Sequence, residues 1–236
     1  MARLWHLWAF LLLACPAAAD DLSKRPEACQ PVLTVQTHGC MVRTVLRCTG
    51  MSPVEWRSES FDDKGLRYAS TFDADFVQIR IAYPQRGQYF FNDMSRSFST
   101  PPAEIIRTGR GVEMVYGQFR QGAQAWVTTG DHRVLRVDPP LTISGTDLTR
   151  LRFFGTDTYS APLVAESVDF MNYVDPVTGA LFGGESLLPD ETGKMSLWGQ
   201  PVELSRPGEP GFDAQIPKFD CATLSFNETD EKADKS

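Results

Sequence analysis

Of the three histidines in this 236-residue chain, His6 falls in an apolar leader, so acid–base chemistry in the rest must rely on His38 and His132. His38 sits beside Gly39 in what reads as a hairpin loop, where an imidazole is simply solvated. His132 follows Asp131 after Thr128-Thr129-Gly130, a pattern read here as a polar turn entering a strand at residues 134–137. An imidazole beside an acid has the makings of a general base, which makes His132 the candidate catalytic residue. Neighbours on a strand point to opposite faces, however, so Asp131 is poorly placed to orient it. The polar-turn reading is preferred.

Other reactive patterns are missing. No GxSxG elbow, SxxK pair or HExxH helix occurs, so a hydrolytic triad would have to draw on His132 or His38. Carboxylates cluster at Asp62-Asp63, Asp73-x-Asp75 and Asp190-Glu191. Two of them must converge to cleave a glycoside, and a glycine-centred loop is needed for an EF-hand calcium site, which Asp73 and Asp75 lack. Gly109-Arg110-Gly111 is read as a turn, because Met114 stands where a dinucleotide fingerprint has its third glycine. Asn227-Glu228-Thr229 matches a glycosylation sequon by chance. No cofactor and no metal-ligand set is expected.

The cysteines carry a framework instead. Arg3, the apolar residues 4–14 and Ala17-Ala18-Ala19 have the charge, hydrophobe and small-residue order of a secretory signal peptide over residues 1–19, with cleavage after Ala19. Its apolar run of about eleven residues is too short to span a bilayer, which takes ~20. A second reading stays open: Leu12-Leu13-Ala14-Cys15 resembles the lipobox of bacterial lipoproteins, which implies acylation of Cys15 and a lipid-anchored protein in the periplasm. Cleavage after Ala19 leaves Cys29, Cys40, Cys48 and Cys221, an even set in an exported chain and so two disulfides. No CxxC is present, which argues against redox or zinc roles.

Local pattern selects the pairing. Residues 32–37 and 40–48 flank His38-Gly39, which reads as a two-residue hairpin loop. In that register paired numbers sum to 77, so Val35 faces Val42, Leu33 faces Thr44, and Cys29 falls opposite Cys48. Leu33, Val35, Val42 and Leu46 then share a face with the cysteines, while Thr34, Gln36, Arg43 and Arg47 point the other way. A Cys40–Cys48 bridge would have to span about 26 Å of strand. The expected bonds are Cys29–Cys48 and Cys40–Cys221. Pro31 interrupts the ladder of this register and calls for a bulge or an early end to pairing.

The rest of the chain reads as short strands between turns, at residues 66–72, 76–83, 88–91, 112–119, 124–129, 134–137, 164–174, 180–188, 201–204 and 221–226. Helix is scarce: residues 102–108, with Thr100 as N-cap, and residues 148–154. The expected fold is mainly β, one antiparallel domain over residues 20–226 forming a curved sheet, open barrel or sandwich, with one or two short helical turns. A disordered polar tail over residues 227–236 follows.

Function follows from what is left. Losing residues 1–19 removes Arg3 and no acid, so 22 basic residues face 30 acidic ones, a net charge of −8 that repels nucleic acid and anionic membranes. Aromatics on strands leave a choice between a filled core and an apolar pocket lined by Phe90, Trp126 and Phe170. The architecture is similar to that of curved-sheet periplasmic lipoprotein carriers, a likeness without a shared motif. The leading expectation is a non-catalytic envelope protein that binds a lipid-like ligand or a partner protein. A secreted hydrolase of glycans or esters and a structural module of an envelope assembly are the alternatives.

Overall fold

Among the described residues, thirteen strands form one antiparallel sheet, nearly closed into a barrel. The computed structural model describes residues 23–160, 163–188 and 198–221. The leader, Cys15, residues 222–226 of the last expected strand, the Asn227 sequon and the polar tail lie outside the described residues. The strands are β1 (Cys29–Thr37), β2 (Met41–Met51), β3 (Val54–Asp62), β4 (Gly65–Phe72), β5 (Gln78–Tyr83), β6 (Gln88–Asn92), β7 (Phe98–Ser99), β8 (Arg110–Gln121), β9 (Gln124–Ile143), β10 (Thr146–Ser160), β11 (Leu163–Val174), β12 (Leu181–Ser186) and β13 (Pro201–Ser205). An α-helix, α1 (Pro102–Thr108), lies between β7 and β8, and a 3-10 turn at Pro84–Arg86 joins β5 to β6.

The sheet is a meander. Each strand from β1 to β6 pairs with the next, β8 takes β6 on one edge, β7 adds beside it, and β9 to β12 follow in order. β13 then returns to pair with β1. Tight turns make this order possible: at Ser144-Gly145 both residues have positive φ, 49° and 73°, as a two-residue type I′ hairpin loop requires.

Both expected disulfides form, Cys29–Cys48 and Cys40–Cys221. The register behind the first holds only as far as Pro31. Cys29 pairs with Cys48 and Pro31 with Leu46, then a bulge at Val32 shifts the ladder by one, so Leu33 faces Val45 and Val35 faces Arg43. The loop is correspondingly one residue longer than expected, with Gly39 and Cys40 both at positive φ. Glycine is required at position 39, because a Cβ there would stand 1.8 Å from the Trp198 ring. The bulge also overturns the expected faces. Leu33, Val35 and Val45 enter the main hydrophobic cluster with Trp56, Tyr173, Phe182 and Leu204, whereas Cys29, Leu46 and Cys48 pack with Val54 on the other side. Arg43 thereby joins the face of Leu33 and Val35.

Three further expectations fail. Residues 148–154 are strand, not helix, because β10 is hydrogen-bonded on both edges, to β9 and β11. Residues 124–129 and 134–137 are one continuous strand, since Gly130 is accommodated in the ladder and makes no turn. The helix at 102–108 is present, but Pro101 occupies its N-cap, and the Thr100 hydroxyl instead accepts from the Val112 amide at 3.0 Å.

Sequence reading also passes over β3. Its outward side chains Arg57 and Glu59 are charged, so hydropathy gives no alternation, yet both are buried. The terminal segments cover them: Arg25 binds both Glu59 and Asp213 at 2.8 Å, the Asp213 amide donates to Thr34 Oγ1, and Lys218 N donates to Gln36 Oε1. Those two acids raise the Arg25 pKa, Asp213 most, against the opposing effect of burial.

Candidate functional site

Ladder register brings distant side chains to one face of the sheet. Glu113 on β8 stands directly opposite His132 on β9, and His132 stands opposite Gly155 on β10, two residues from Asp157. The result is a buried imidazole between two carboxylates: Nδ1 lies 2.8 Å from Glu113 Oε2 and Nε2 lies 3.0 Å from Asp157 Oδ1. Gly130 makes the space, since a Cβ there would approach Asp157 Oδ1 to 2.6 Å. Phe170 closes the group edge-on to the imidazole, with ring centres 6.4 Å apart, and stacks on Phe153.

Ionised carboxylates only accept hydrogen bonds, so both imidazole nitrogens must donate and His132 is an imidazolium. Burial lowers its pKa, but the bonds to Asp157 and Glu113 outweigh that effect and bring it up to about 9. Such a ring has no lone pair with which to take a proton from a nucleophile. The polar turn expected at His132 is therefore corrected to a buried ionic bridge across three strands. Asp131 is not its partner, as the strand geometry implied.

His38 lies apart, in the β1–β2 loop, with Nδ1 2.6 Å from Asp220 Oδ2. That bond holds the Asp220 carboxyl below its usual range. Neither ring has a serine, threonine or cysteine as hydrogen-bond partner among the described residues. Asp73 accepts from the amides of Asp75 and Val77, the ordinary work of a turn residue, and burial raises its pKa. Among the described residues no three His, Cys, Asp or Glu side chains are grouped to hold a metal ion.

A cavity of about 420 Å³, open to solvent on one side, lies between β2–β5 and β11–β12. Its apolar wall includes Phe72 and Ile81 from β4 and β5, Val168 and Phe170 from β11, and Leu188 and Trp198. Ser58, Ser70, Gln78 and Asn172 add polar groups, and Arg43 and Asp169 are its charged lining residues. Phe72, Gln78, Phe170 and Asn172 separate it from a smaller cavity of about 100 Å³ that reaches Ile105 and Glu113.

The three aromatics singled out from sequence are only partly united. Phe170 lines both cavities. Phe90 and Trp126 share its face, each directly opposite Phe119 across β6, β8 and β9, but they line neither cavity. Phe90 instead packs over Gly117, and Trp126 contacts Phe119 with ring centres 5.5 Å apart. Arg43, the most buried polar side chain on the cavity wall after Ser70, was missed. Its only sequence signal was membership of an alternating strand, and the wrong register pointed it away. Residues 89 and 91 face outward and are exposed, as are Phe98 and Met114 beside them.

Comparison with known proteins yields no match: no family model, curated protein or solved structure corresponds to the chain.

Proposed function

We propose that this protein is an exported envelope protein that binds a lipid-like ligand in the concavity of its sheet and performs no catalysis there. The observation that carries the reading is the 420 Å³ cavity between β2–β5 and β11–β12, where Phe72, Ile81, Val168 and Phe170 form an apolar strip among polar side chains that include Ser58, Ser70, Gln78 and Asn172. Concave sites of a few hundred Å³ with mostly apolar walls and sparse polar anchors are the usual form of a small-ligand site. The locked imidazolium supports the non-catalytic part of the reading. Two disulfides fit an oxidising, exported setting. No helix among the described residues is long and apolar enough to cross a membrane. We place the protein in the bacterial periplasm, either soluble after cleavage at Ala19 or anchored through Cys15.

Titration with a fluorescent naphthylamine probe tests this. The wild-type protein should bind it, and Val168→Trp, which fills the cavity, should weaken binding at least tenfold with the fold intact by circular dichroism. Equal binding by the two proteins would move the site elsewhere.

A further inference from the structure

Among the described residues two arginines are buried, and they are treated differently. Arg57 has a carboxylate at 2.7 Å, Glu59 Oε1. Arg43, only 4% exposed, has none among the described residues. Its Nε donates to Ser60 Oγ at 3.0 Å, and its two terminal nitrogens donate to the Gly183 carbonyl and the Tyr68 hydroxyl. All three acceptors are neutral. Asp169, the carboxylate on the cavity wall, is held by Arg152 through two bonds of 2.8 and 2.6 Å. A cation taken out of water without a counter-charge is costly, and neutral acceptors recover only part of its lost hydration.

Arg43 is also on the wall of the 420 Å³ cavity. A guanidinium has five N–H donors and three are engaged, so two remain for a ligand. Asn172 sits directly across the ladder from Gly183, and its Oδ1 is buried without a partner. Turning that amide over presents N–H donors at the same end of the cavity. A volume of about 420 Å³ is in the size range of small-ligand sites. That suits a single acyl chain with a small head.

We propose that the cavity takes an anionic amphiphile, its carboxylate seated on Arg43 and its alkyl chain along Phe72, Ile81, Val168 and Phe170. The inference rests on the ligand-binding reading above and adds the charge and the orientation of the ligand. An Arg–carboxylate pair in a desolvated site is short and directional, so the head should contribute strongly to affinity.

The test compares laurate with 1-dodecanol, which has the same tail and a neutral head, by displacement of the naphthylamine probe. Wild-type protein should bind laurate at least tenfold more tightly. Arg43→Met, which keeps length and apolar volume, should abolish that preference and retain dodecanol binding, while Arg43→Lys should keep part of it. If Arg43→Met does not fold, the wild-type pair of titrations still decides. Equal affinity for the two ligands in wild-type protein, or a preference that survives in Arg43→Met, overturns the assignment of the head to Arg43 and leaves the cavity reading standing. Failure of wild-type protein to bind probe, laurate and dodecanol alike overturns the cavity reading itself.

Discussion

Replacing His132 by glutamine tests the ionic bridge most directly, because its contribution to stability must depend on pH in a defined direction. The folded pKa is raised to about 9, from 6.5 for a free imidazole. A raised folded pKa means that the native state binds the proton more tightly than the unfolded chain. The associated stability is complete below pH 6.5 and is lost as pH rises through 9. At about 1.36 kcal/mol per pH unit, the gap corresponds to at most about 3 kcal/mol. Glu113 and Asp157 are 17% and 25% exposed, so solvent screening reduces this to on the order of 2 kcal/mol. Urea unfolding at intervals from pH 6 to 9.5 should show the wild-type protein more stable than His132→Gln, with the difference shrinking by that amount across the range. Taking the difference cancels other titrating groups. The imidazole NMR signal that disappears in the variant should titrate near pH 9. A difference that stays flat with pH, or an imidazole that titrates at or below 6.5, would refute the doubly donating imidazolium.

Two further outcomes follow from the covalent and buried ionic contacts. Cys29–Cys48 closes 19 residues and Cys40–Cys221 closes 181, so the chain-entropy relation gives losses of about 3 and about 5 kcal/mol for the respective double-serine variants in urea. Equal losses would show that native packing, not loop length, sets the values. Glu59→Gln removes the carboxylate shared by Arg57 and Arg25 and should destabilise the fold by about 3–5 kcal/mol; a loss below 1 kcal/mol in the same assay would mean that the terminal segments leave the pair hydrated.

The β3 strand and the Arg43 register show where sequence reading runs out. In β3, burial is supplied by residues near both chain ends, more than thirty and more than a hundred positions away in sequence, so its charged side chains look like a solvated segment. At Pro31 the sequence does signal trouble in the ladder, since proline has no amide to donate. It does not say that the chain answers with a bulge at Val32, nor that the shift by one residue turns Arg43 toward the cavity.

What the sequence by itself determined is local or covalent. Alternation around one short loop brought Cys29 and Cys48 together, Cys40 and Cys221 were paired by elimination, and turn residues marked most of the meander. The tertiary structure alone decided which charges meet. Glu113 and Asp157 lie 19 and 25 positions from His132, and Gly183 lies 140 from Arg43. Each strand's alternation says which residues share a side, but hydrogen bonding to the neighbouring strands sets which of those residues face one another. A single inserted residue reverses the side altogether.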